Sequence, residues 1–266
     1  MKPDQLAKAF NKNVETLDEL TEKFLETSDP SNTQALRKAA KRLGTSYSVL
    51  PKDLRKEDRL KHYVDAARKL ARATGKVRDL DTITSWTAQV TDARDRKLIA
   101  SDLAKLRGHV LKDAVKEAKS LRKEKVPHLR PKSLDVQDIS KRAEKVEGRL
   151  VERVDDEFEE FLSTQEVEVM HQLRKDSKRL RQVLELYQNG HAPSLLTRLR
   201  SIQDDLGAIR DHDLVIDYLS RSVKPTSTRP LIREEIAKRH ARLEEFVTKN
   251  RGQGRVVPFS PKKKAS

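Results

Sequence analysis

Two stretches of the chain concentrate side chains able to hold an anion. QALRKAAKRLG opens at Gln34 and HQLRKDSKRLR opens at His171. Aligned without gaps, Leu36, Arg37, Lys38, Lys41, Arg42 and Leu43 fall opposite Leu173, Arg174, Lys175, Lys178, Arg179 and Leu180, an offset of 137 residues. At about 100° per residue, each copy divides into a basic and an apolar side. In the second, His171, Arg174, Lys175, Lys178 and Gln182 share a face flanked by Arg179 and Arg181, with Leu173, Leu180, Leu184 and Tyr187 opposite. In the first, Gln34, Arg37, Lys38 and Lys41 oppose Leu36, Ala40, Leu43, Tyr47 and Leu50. A solvated helix face ordinarily mixes signs, because like charges at i,i+4 repel. Two turns of a single sign, present twice, predict a groove of fixed cations for a chain of phosphates. The plain alternative is a solvated or ion-paired face. Arginine offers planar, forked hydrogen bonds and lysine a mobile point charge. His171, with an ordinary pKa of about 6.5, would add a proton-dependent contact.

A second repeated block follows. GKVRDLD from Gly75 matches GAIRDHD from Gly207, setting Arg78, Asp79 and Asp81 against Arg210, Asp211 and Asp213. Arg68 and Arg200, then Trp86 and Tyr218, extend the match. The order and near-equal spacing of the blocks argue for duplication. On a helix Arg78 and Asp81 share a face, while Asp79 and Asp81 diverge, which suits two carboxylates on one metal poorly. The acids are expected to pair with and orient the cations of the basic stripe; an inter-helix salt bridge without a ligand is the alternative. Gly75 and Gly207 are expected to permit close helix approach, with a local break or cap as the other reading.

Other chemistry has little support. There is no Cys, so disulfides, cysteine nucleophiles and cysteine-ligated metals are excluded. His62, His109, His128, His191, His212 and His240 show no HxxxH or HExxH spacing and read as surface or core residues. No P-loop, Rossmann glycine pattern or nucleophile elbow occurs. EVEVM, from Glu166, only superficially resembles the ExExK of triphosphate-tunnel enzymes, because the lysine is missing. A protein without catalytic activity, metal or cofactor is expected.

With both blocks in hand, the chain resembles the CHAD family, the conserved histidine α-helical domain. The resemblance rests on the run from His171 to Arg181, on Leu206 through Asp213, and on their first-half counterparts, and it spans about residues 4–250. It implies two four-helix bundles related by a pseudo-twofold axis, a strongly basic surface between them, and binding of inorganic polyphosphate. Two positions depart from the pattern. Gln34 stands where a histidine is expected, and Gly44 where the second copy has Arg181. Gln34 can donate a hydrogen bond but cannot become a cation.

The elements that must position these residues are helices. Long stretches rich in Ala, Leu, Lys, Arg, Glu and Gln run between prolines, predicting helices near 4–28, 32–50, 57–88, 90–124, 139–163, 166–188, 193–220 and 230–249. With 4% aromatics and eight glycines, an all-β fold is excluded. The expectation is an all-α protein with a first bundle at 1–125, a linker at 126–138, a second bundle at 139–250 and a flexible basic tail at 251–266. Lys and Arg total 57 against 42 acids, a formal charge of +15, which favours an anionic partner. Inorganic polyphosphate, or another polyanion, is the first choice, with association to polyphosphate granules in view. Nucleic acid comes second, because no aromatics interleave the basic stripes to stack bases. An accessory scaffold for a phosphate enzyme or granule is a third reading. No apolar run approaches the roughly 20 residues of a membrane span, and the opening MKPDQLAKAFNKN lacks the apolar core of a secretory signal. A cytoplasmic setting is expected.

Overall fold

The computed structural model describes residues 3–187, 193–221 and 225–257. Among them eight α-helices follow one another and no strand occurs, so the chain is all-α. In order they are α1 (Pro3–Glu26), α2 (Pro30–Ser48), α3 (Asp58–Trp86), α4 (Ala93–Leu121), α5 (Val136–Thr164), α6 (Val167–Tyr187), α7 (Pro193–Arg221) and α8 (Pro225–Asn250). No helix among the described residues is long and apolar enough to cross a membrane. His191 and the tail beyond Val257, including Pro258 and Pro261, lie outside the described residues, as does the side chain of Tyr187. The chain divides into two compact units, Met1–Glu144 and Lys145–Ser266.

In the first unit α1 packs on α2, α2 on α3 and α3 on α4. The core follows from spacing. Leu6, Phe10, Val14, Leu17, Thr21 and Phe24 recur every three or four residues along α1, and all are buried. Thr21 is tolerated there because its hydroxyl donates to the Leu17 carbonyl at 2.7 Å. Asp29 opens α2 by accepting from the Asn32 amide, with Pro30 in the first turn. Asp92 opens α4 in the same way, accepting from the Asp95 amide. The segment 126–138 is tied to this unit. Leu129 is buried, and Asn11 bonds both its carbonyl and its amide at 2.9 Å. Arg142, early in α5, donates to the Ser48 carbonyl at 3.1 Å.

In the second unit α6 packs on α7 and α7 on α8. Phe158 and Phe161 of α5 meet Phe246 of α8, with ring centroids 6.2 and 5.6 Å apart. Two expectations change here. Pro230 does not open α8 but lies inside it, because the helix already begins at Pro225; at its sixth position the proline forgoes one main-chain hydrogen bond. Residues 251–257, expected to begin a flexible tail, are held in place. Arg198 donates to the carbonyls of Gly254 and Arg255, Asp155 accepts from the Val257 amide, and Val256 is fully buried.

Candidate functional site

The first unit places its basic run on α2. Leu36, Ala40 and Leu43 are buried, which fixes the outward face. Gln34, Lys38 and Arg42 are exposed, whereas Arg37 and Lys41 are half-buried. The run is therefore not one stripe. Arg37 leans over α3, where a Cβ built on Gly75 would come within 3.4 Å of its Nε. Lys38 and Arg42 line a cleft between α1 and α2 instead.

On α3, Arg78 pairs with its neighbour Asp79 at 3.6 Å. Asp81 takes Arg107 Nε of α4 at 2.6 Å, and the same guanidinium donates to the Ser28 carbonyl at 2.8 Å. Arg107 thus joins α4, α3 and the turn before α2. The second carboxylate oxygen of Asp81 is buried without a hydrogen-bond partner.

The second unit repeats the exposure order on α6. Arg174 and Lys178 are half-buried, while Lys175 and Arg179 are exposed. On α7, Arg210 pairs with Asp211 at 3.8 Å, and Asp213 takes Arg239 Nε of α8 at 2.5 Å. The second Asp213 oxygen is again buried and unbonded. Both are inter-helix salt bridges, the alternative that the sequence left open for these aspartates. Their bonded partners, Arg107 and Arg239, come from the helix that follows, because an antiparallel hairpin returns it across the RDxD turn. A signal for them exists in the sequence: each lies 26 residues after its aspartate, and they are 132 residues apart, the spacing of the RDxD blocks themselves.

His171 brings the two motifs of this unit together. Its ring is half-buried, and Nδ1 is enclosed without a hydrogen-bond partner. Burial pushes its pKa below the ordinary histidine value. The Asp213 carboxylate opposes that shift, while Arg174, Arg210 and Lys175 reinforce it. The expectation of a histidine titrating at its ordinary value is corrected accordingly. The neighbours of His171 are cations from α6 and α7 with one carboxylate among them, an arrangement that receives an oxyanion better than it binds a cation.

Arg181 has a different role from the other residues of the motif. Its Nε donates to Gln203 Oε1 of α7 at 3.0 Å, and its NH1 pairs with Glu185 at 2.8 Å. Arg200 reaches the same Glu185 oxygen at 3.3 Å. Arg181 is a bridge between α6 and α7. Gly207 likewise departs from expectation. A Cβ there would meet nothing within 4 Å, and at Gly75 it would meet only the Arg37 side chain, at an ordinary contact distance of 3.4 Å.

Buried polar groups also lie behind α6. Asp176 accepts from Arg153 NH2 of α5 at 2.5 Å and from Gln172 Nε2 at 2.9 Å. Glu157 of α5 sits beside it, and its carboxyl is pushed up to about 7 by burial and by the Asp176 charge. His212 of α7 meets the buried Glu235 of α8 at 2.7 Å, and Lys238 holds the other Glu235 oxygen at 3.0 Å. Neither cluster stood out in the sequence, since each forms only when two helices pack.

Comparison with known proteins follows from this geometry. The CHAD domain profile matches residues 8–220 and, in an overlapping second match, 147–253. Two solved structures share the fold. One is the crystal structure of the CHAD domain from the plant Ricinus communis, with TM-score 0.57 and 15% identity, covering 94% of this chain and 87% of that one. The other is PptA from Streptomyces chartreusis, with TM-score 0.65 and 15% identity, covering 95% of this chain and 99% of that one. A search of curated proteins finds no match.

Proposed function

The chain belongs to the CHAD domain family, and from that premise we propose that it binds inorganic polyphosphate, without catalysis, through the cations of α2 and α6. The reading assigns contact to Gln34, Arg37, Lys38, Lys41 and Arg42 in the first unit. In the second it assigns His171, Arg174, Lys175, Lys178 and Arg179. Arg181 is left out, because Gln203 and Glu185 already hold its guanidinium. The observation that carries the reading is the shared exposure order. In both helices an Arg and a Lys one turn apart are half-buried, and the cations that follow each of them are exposed. Partial burial restrains a side chain and lowers the local dielectric, so a phosphoryl oxygen meets a cation already held in place. Each further phosphate in reach displaces counterions from the polymer, so affinity rises with chain length and falls with salt.

Reversing charge on the half-buried pair tests this. Arg174→Glu with Lys178→Glu is expected to weaken long-chain polyphosphate binding at least about tenfold at physiological salt. Lys175→Glu with Arg179→Glu, at exposed positions, should weaken it in the same direction and guards against a folding defect. Unchanged affinity in both folded variants would remove α6 from the site.

A further inference from the structure

The α1–α2 cleft of the first unit does not belong to the α3-facing side of α2, and its lining is chemically distinct. It encloses about 270 Å³ and is bordered by Lys12, Asn13 and Thr16 of α1 and by Lys38, Ala39 and Arg42 of α2. Lys12, Lys38 and Arg42 are exposed, and none has a hydrogen-bond or ion-pair partner among the described residues. The nearest acids along α1, the exposed Glu15 and Glu19 and the half-buried Asp18, form no ion pair with them among the described residues. Three like charges around one small cleft raise its positive potential, which favours a bound anion.

The second unit carries different residues at the matching position. By the ungapped alignment of the basic runs, Ala35 and Ala39 fall opposite Gln172 and Asp176. There Asp176 is buried, bonded to Gln172 and paired with Arg153 of α5. The first unit has two alanines in place of that polar cluster. They leave space, and they bring no carboxylate to neutralise the cations around it.

We propose that the α1–α2 cleft is a subsite for a compact phosphoryl anion, held by Lys12 from one helix and by Lys38 and Arg42 from the other. Its volume of about 270 Å³ accommodates a phosphoryl group, free or at the end of a chain. Arg42 supplies a planar fork for two oxygens, and the lysines supply point charges on either side. Thr16 and Asn13 border the site with neutral polar groups. Lys12 is the residue that the repeated motif does not contain. The subsite extends the polyphosphate reading of α2 but does not depend on α6.

Amide shifts of the full-length protein during titration test it. Orthophosphate and tripolyphosphate are added in turn, with sodium chloride at matched ionic strength as reference. Saturating shifts at Asn13, Thr16 and Ala39 are expected. A response to orthophosphate identifies the free anion as sufficient; a response to tripolyphosphate alone identifies a chain end, and both support the subsite. Lys12→Ala with Arg42→Ala, or the corresponding Gln pair, should weaken binding about tenfold without loss of helical signal. Shifts that do not saturate, that chloride reproduces, or that persist in both variants overturn the proposal. The α6 variants distinguish it from the broader reading. Cleft shifts retained in Arg174→Glu with Lys178→Glu leave the subsite standing even if long-chain binding proves independent of α6.

Discussion

His171 shows how position can reverse the behaviour expected of a residue type. Its folded-state pKa lies below the unfolded value, chiefly through burial, so the native state favours the neutral ring. The stability this contributes is fully present above about pH 6.5 and is lost as pH falls through the depressed folded value. A bound phosphoryl chain acts in the opposite direction, because its charge favours the imidazolium. Binding should therefore draw a proton onto His171. NMR titration of the ring is expected to show a midpoint below the ordinary histidine value in the free protein, rising when polyphosphate is added. His171→Ala should cost little affinity at pH 8 and more as the pH is lowered past 6. An ordinary midpoint in the free protein, or an equal loss of affinity at both pH values, would refute this role.

Among the helices, the pairing of α5 with α6 carries a pH dependence of its own. The Glu157 carboxyl is raised to about 7 by burial and by Asp176. A carboxyl whose folded value exceeds its unfolded one favours folding in its protonated form. That contribution is fully present below about pH 4.3 and is lost as pH rises through 7. Glu157→Gln keeps the amide neutral, so its thermal unfolding should vary less between pH 5 and 8 than that of the unmodified chain. Near pH 8 the variant should be the more stable, because the unmodified chain must there bury a charge beside Asp176. Parallel pH profiles for the two proteins would contradict the assignment.

The helices were largely legible in the sequence, because prolines and caps act locally. Pro30 with Asp29 marks the start of α2, and the apolar spacing of α1 identifies its buried face. What the sequence hid depends on neighbours in space. Arg181 reads as one more cation until Gln203 of α7 and Glu185 are seen to engage it. Arg107 and Arg239 sit well downstream of the aspartates they serve, and only the shared offset hints at them. Lys12 belongs to no motif; it matters because α1 returns against α2 and sets it beside Lys38 and Arg42. Within α2 itself, periodicity placed Arg37 and Lys38 on one face, whereas packing turns the first toward α3 and the second toward α1.

Taken as a whole, the molecule is a polycation of +15 whose charge alone would attract any polyanion. Specificity must come from where the cations stand. Few aromatics are present, 4% of the chain, so little is available to stack exposed bases. The account thus requires more than electrostatic attraction. It requires that closely spaced phosphoryl groups on a flexible, base-free chain fit α2 and α6 better than the wider, stiffer phosphate spacing of a duplex. Competition measures this directly. Full-length protein is loaded with long-chain polyphosphate at physiological salt, and duplex DNA is added at equal phosphate concentration. Retention of most of the polyphosphate is the predicted result; its displacement by the duplex, or a failure to bind polyphosphate at all, would contradict the account.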